Sequence, residues 1–221
     1  MKKSMNKSRK KWNVSLAIGT VLILAVVIVC IVSFIYMPHD PIEMNTTLNF
    51  LRPGVNESYI LGTDNFGRDI LSRIMMGSRT VLLVGVVSTA FGAVIGIILG
   101  GFAAMSKNIV SSIIMRFVDG MMAFPGILLA MMLVLVVGRG EKGSIVAIAM
   151  FIVPTFARLV YSMVLDTESM LFAKAAKSYG ITKRRLFKKH YIPLMATRLI
   201  TQFSSSIAHA IMVETSLSFL G

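Results

Sequence analysis

Three charged side chains stand inside runs that are otherwise apolar: Asp119 in "RFVDGMMAFPG", Arg158 in "FARLVYS" and Glu214 in "MVETSLSFLG". A carboxylate or guanidinium in hydrocarbon is costly, so such groups pair with one another or face water. Arg116, three residues before Asp119, is the nearest local partner on a helix, and Arg158 is the other candidate. The spacing leaves two readings open, an ion pair that locks helices together and a charged point on a transport path, and Glu214 poses the same choice. Bond-making chemistry has no foothold. His39, His190 and His209 are far apart and show no metal-ligand spacing, and there is no nucleophile elbow, HExxH or Walker A pattern. No catalytic residue, metal or cofactor is therefore expected, and any ATP involved would be bound by another chain.

The elements that carry these residues are set by hydropathy. Of 221 residues, 55% are hydrophobic and only 15% charged, with a mean hydropathy of +0.76. That balance excludes an ordinary soluble domain. A formal charge of +13 would suit a nucleic-acid binder if the chain were soluble; in an integral membrane protein it reflects basic loops retained on the cytoplasmic side. The expected class is all-α, a polytopic helix bundle in the lipid bilayer, with no nucleic-acid partner. The lone Cys30 reads as a small apolar residue and can form no internal disulfide.

Five spans are expected, at about 14–36, 80–104, 112–137, 144–165 and 194–219. The first follows the basic "MKKSMNKSRKK" and is longer than the apolar region of a signal peptide, with no A-x-A-like cleavage site, so it reads as an uncleaved anchor. Residues 1–36 then form a cytoplasmic N-terminus and first helix, 37–79 an external loop, and 80–221 the core with a cytoplasmic loop at 166–192. Gly92, Gly96 and Gly100 share one helix face and predict close helix packing. Pro125 predicts a kink in the third span. Asn45-Thr-Thr and Asn56-Glu-Ser match glycosylation sequons and read as chance.

The 166–192 loop is the most patterned segment. Seven basic residues lie between Phe172 and Pro193: Lys174, Lys177, Lys183, Arg184, Arg185, Lys188 and Lys189. Thr167–Ser178 favours a helix, Gly180 ends it, Thr182 is placed to cap a second helix over 183–191, and Pro193 opens the last span. In the second helix Leu186, Phe187, His190 and Tyr191 fall on one side. The bracket could rest on anionic headgroups, or its small face of Ala173, Ala175, Ala176 and Gly180 could receive a partner's backbone.

"KAAKSYG" with Pro193 resembles the EAA loop of permease subunits in binding-protein-dependent ABC importers: Ala175, Ala176, three residues including Tyr179, Gly180, nine residues, then "HYIP". Lys174 stands where that family usually has Glu, and His190 and Ile192 occupy its other two apolar positions. "LGTDNFGRDILSRIMMGSRTVLLVG" resembles a segment of the second permease subunit in the dipeptide/oligopeptide/nickel branch, carried here by Gly62, Thr63, Asp64, Gly67, Arg68 and Asp69. The resemblance implies the transmembrane domain of a type I ABC importer in the inner or plasma membrane, a transport subunit rather than an enzyme. It implies a second homologous permease subunit, two ATP-binding subunits docked on the bracket, and an external solute-binding protein delivering peptides, nickel or a metal chelate. The family's usual sixth span is missing after Gly221, which also raises the reading of a truncated, non-transporting scaffold.

Overall fold

The computed structural model describes residues 14–220. Among them every regular element is helical, and the only bridge of strand type is the isolated pair Thr63 and Asp69. The fold class is all-α, as expected. The chain divides into two compact units between Thr80 and Val81.

The first unit holds α1 (Val14–Ile35), a long loop and the first turns of α2 (Ile70–Met105). α1 contains no charged residue. Its buried Ser33 accepts a hydrogen bond from Arg79 Nε at 2.6 Å, and the Arg79 guanidinium lies 4.3 Å from the centre of the Phe34 ring, a cation–π contact. α2 starts at Ile70 rather than near 80, because Asp69 caps it. With 36 residues it is about 54 Å long, well beyond the roughly 30 Å of hydrocarbon in a bilayer. The loop of this unit therefore ends at Asp69, ten residues earlier than the hydropathy run suggests.

The second unit is built around α5 (Glu141–Ser169), which packs against α3 (Asn108–Met122), α4 (Gly126–Val137) and α8 (Ile192–Leu220). Val84, Ala93, Ala130, Ile148, Ile152, Phe156 and Ala210 form one apolar cluster of this unit. The glycine face of α2 does what its spacing predicts. A Cβ on Gly92, Gly96 or Gly100 would come within 2.7 Å of the Ala149 carbonyl oxygen, 2.6 Å of that of Val153 and 2.2 Å of that of Ala157, respectively. The backbones of α2 and α5 thus touch with no room for side chains.

Pro125 does more than kink a span. α3 and α4 meet at 98° across Ala123–Pro125, so the third apolar run is a broken pair and not one rod. α1, α2 and α5 are long and apolar enough to cross a membrane, and the bent pair makes a fourth if counted as one. α8 is long enough but falls short in hydropathy, because Thr, Gln, Ser, His and Glu interrupt it. Its hydroxyls bond back to carbonyls one turn earlier, as Thr201 does to Thr197 at 3.0 Å and Ser204 to Ile200 at 3.1 Å.

Candidate functional site

The bracket is built from its inner face outward. α5 runs through Asp166 to Ser169, so the helix expected from Thr167 is split: Met170, with ψ at 148°, breaks it, and α6 covers only Leu171–Ser178. α6 then closes in a Schellman turn. Gly180 has φ +76°, its N–H bonds to the Lys177 carbonyl at 2.9 Å, and the Ile181 N–H bonds to that of Ala176 at 3.1 Å. α7 (Lys183–Leu186) follows, and a π-helical turn at Phe187–Tyr191 joins it to α8. Thr182 precedes α7 but its side chain makes no capping bond; its carbonyl accepts from Leu186 N–H at 3.0 Å.

Ala173, Leu186, Phe187, Tyr191 and Met195 are buried together with Ala104 of α2 and Met163 and Val164 of α5. Two contacts fasten this cluster to the end of α2. Phe187 fits where Gly101 has no side chain: a Cβ there would sit 2.5 Å from the ring's Cζ. Lys183 Nζ donates to the Met105 carbonyl at 3.3 Å, a cation on the negative end of α2. The Tyr191 hydroxyl is buried without a hydrogen-bond partner. Burial pushes its pKa up, and Glu168 adds to the rise.

The outer face differs from the expected one. Ala173 points inward and Ala176 is half-buried against the same cluster, so neither offers a free small-residue face. Lys174, Ala175, Tyr179 and Gly180 are exposed, with Tyr179 87% accessible. Lys177 pairs with Glu168 at 3.0 Å. His190 is exposed and not on the Leu186 side, because the π turn shifts the helical phase. Pro193 is the second residue of α8, in a helix already under way from the π turn rather than at a fresh start. The π turn takes up the place where its missing N–H would break the ladder.

The "LGTDNFGRD" residues make a self-contained fold within the loop. Thr63 is buried; its hydroxyl donates to the Leu48 carbonyl and accepts from Leu51 N–H at 3.0 Å. Asp64 accepts from the N–H groups of Phe66 at 2.8 Å and Arg68 at 3.0 Å, and from Arg68 Nε at 2.8 Å. Burial pushes the Asp64 carboxyl up, but these N–H groups and the Arg68 charge outweigh it and hold it below its ordinary value. Gly62 and Gly67 have φ of +77° and +72°, and a Cβ on them would lie 2.1 Å from the Leu51 oxygen and 1.8 Å from that of Asn45. Asp69 is buried and accepts from Leu71 N–H at 3.2 Å, Ser72 N–H at 3.1 Å and Ser72 Oγ at 2.6 Å. His39 stacks on Tyr59 and places Nδ1 3.4 Å from Asp69. Both sequon asparagines are used structurally: their side-chain oxygens accept from Thr47 and Ser58 N–H.

Of the charged residues within the apolar runs, the structure brings two together. Asp119 on α3 and Arg158 on α5 form an ion pair, and the local candidate Arg116 is not the partner. They line a cleft of about 330 Å³ with Tyr161, Ser162 and Asp166. Glu214 does not join that lining; it is buried on α8 beside Val213 and Leu217 of the apolar cluster. Sequence reasoning missed Tyr161, Ser162 and Asp166, although their spacing from Arg158 (three, four and eight residues) places them on one helix face.

A long helical chain with spanning segments, a packed glycine crossing and a bracket between two helices defines a multi-pass membrane protein. Residues 92–221 match the model of the binding-protein-dependent transport system inner membrane component, and the chain belongs to that family. It is 36% identical over 209 residues to the glutathione transport system permease protein GsiD of Pectobacterium atrosepticum, covering 95% of this chain and 69% of the other. The dipeptide transport system permease protein DppC of Haemophilus influenzae is 33% identical, with 96% and 73% covered. The di/tripeptide transport system permease protein DppC of Pseudomonas aeruginosa is 32% identical, with 93% and 69% covered.

Proposed function

We propose that this chain is the permease subunit through which ATP hydrolysis in separate subunits drives import of di- or oligopeptides. The reading rests on one observation above the rest: the 166–192 bracket has a locked inner face and a free outer one. Phe187 on Gly101 and Lys183 on Met105 tie it to α2, while Lys174, Ala175 and Tyr179 stand clear. A part that is rigidly joined to spanning helices on one side and open on the other can pass a push inward. ATP-binding subunits would dock on the open side, placing the N-terminus and bracket in the cytoplasm. The compact loop at 37–69 would then face the solute-binding protein, and a second homologous permease subunit would complete the path.

Peptides are favoured over nickel or a metal chelate because the relatives' names specify glutathione, dipeptides and tripeptides, and glutathione is itself a peptide. Alternating access would follow from rocking of the packed helices about the path. A cysteine at Tyr179, in the complex assembled with its ATP-binding subunits, should cross-link to one of them with a yield that changes when nucleotide is added. An assembled complex in which that cysteine never captures an ATP-binding subunit would overturn the docking reading.

A further inference from the structure

We propose that Asp119 and Arg158 form a subsite for the two charged ends of a free peptide, Asp119 for its ammonium group and Arg158 for its carboxylate. The inference rests on the importer reading above and names a place on the path.

A pair whose task was to lock two helices would be buried between them. These side chains are not: Arg158 is 54% and Asp119 48% exposed. An exposed pair in water contributes only about 0–1 kcal/mol to stability, and two charges facing lipid would cost more than that. The face that carries them must therefore be wet or meet a polar surface. Asp119 is eleven residues from the start of α3 and Arg158 eleven from the end of α5, so each lies about 16 Å along the helix from that end.

The surroundings are mixed, with Met115 and Leu165 among the polar side chains that line the cleft. Tyr161, Ser162 and Asp166 continue from Arg158 down one face of α5, and Ser111 Oγ donates to Tyr161 Oη at 3.2 Å across to α3. The cleft they share, about 330 Å³, is at the small end of ligand sites. It adjoins a broken helix: α3 ends three residues after Asp119 and turns by 98°, and discontinuous helices are a recurring setting for solute sites near the bilayer midplane.

The chemistry selects the ligand. A free peptide carries one ammonium and one carboxylate, and it can replace each half of the ion pair with a charge of the same sign. Arg158 can hold a carboxylate through two parallel N–H bonds, and Asp119 can accept from an ammonium. Charge balance is kept throughout, so the pair closes on itself without ligand and opens on a zwitterion. An ion of one sign leaves the other residue unpaired, and so does a peptide blocked at one end.

The test uses the assembled transporter without its solute-binding protein, so that selection by that protein plays no part. Cys30 is replaced by Ser, and Ser162→Cys in the cleft reports through its rate of labelling by a charged maleimide. A dipeptide with free ends should slow labelling, and the same dipeptide acetylated and amidated should not. Asp119→Asn and Arg158→Gln should each weaken protection about tenfold or more, the loss of a charge-assisted contact to one end of the peptide. Arg158→Lys should keep part of it, and Asp166→Asn should keep it all. Equal protection by the blocked dipeptide, loss with Asp166→Asn but not Asp119→Asn, or no protection by any peptide would overturn the subsite. Uptake by the same complex with its solute-binding protein restored is measured in parallel. Uptake without protection refutes the subsite alone, whereas absence of peptide uptake refutes the importer reading and the subsite with it.

Discussion

Gly67 and Asp64 show what the LGTDNFGRD motif does at the scale of single residues. Gly67 adopts φ +72° with the Asn45 oxygen where a Cβ would go, so Gly67→Ala should cost about 1–3 kcal/mol and open the loop. Faster nicking of residues 37–69 by protease would show it. Asp69 caps α2, and Asp69→Ala should remove about 1 kcal/mol from the same segment. Asp64 gives a pH dependence of known sign. Its folded pKa is depressed, so its stabilisation is complete above the ordinary carboxylate value and is lost as pH falls through the folded one. Protease resistance of the loop should therefore drop in acid, and Asp64→Asn should be weaker at neutral pH and lose the acid dependence. The sequence marks these residues as a family signature. It does not show that they staple a loop, because Thr63 meets Leu48 and Gly67 meets Asn45 across fifteen and more residues of chain.

At the scale of elements, periodicity carries far and then fails where the helix changes type. The glycine face of α2 is legible because a four-residue step keeps one helix face, and Gly180 is legible because only glycine suits that turn at little cost. The break at Met170 has no breaker residue to announce it. The π turn moves His190 to the surface through backbone hydrogen bonding that composition does not encode. Pro125 announces a disturbance, but a right-angle turn depends on what α4 packs against, chiefly α5. Tyr191 carries a prediction of its own. Its hydroxyl is buried and unsatisfied, so Tyr191→Phe should leave the bracket unchanged or more stable by up to about 1 kcal/mol. Thermal melting of the purified complex measures this, and a large loss would mean the hydroxyl has a bonded role.

For the molecule as a whole, hydropathy identifies the class and the motifs identify the family, yet neither counts spans. The expectation of five apolar rods meets three clear candidates, one broken pair and a polar α8, whose exposed side carries Thr201, Ser204, Ser205, His209 and Thr215 and so lowers its hydropathy. The Asp119–Arg158 pairing was one of two partners open in sequence, and the tertiary packing of α3 on α5 decided it. If the bracket couples ATP-binding subunits to the spans, as proposed, its motion passes to α2 through Phe187 seated on Gly101. The most direct measurement is peptide uptake per ATP hydrolysed by the reconstituted transporter carrying Gly101→Ala, alone and with Phe187→Leu. The added methyl collides with the ring, so Gly101→Ala should keep hydrolysis while uptake falls about tenfold, and the smaller Phe187→Leu side chain should restore most of it. Uptake and hydrolysis unchanged by Gly101→Ala, or lowered together with no rescue by Phe187→Leu, would contradict the account.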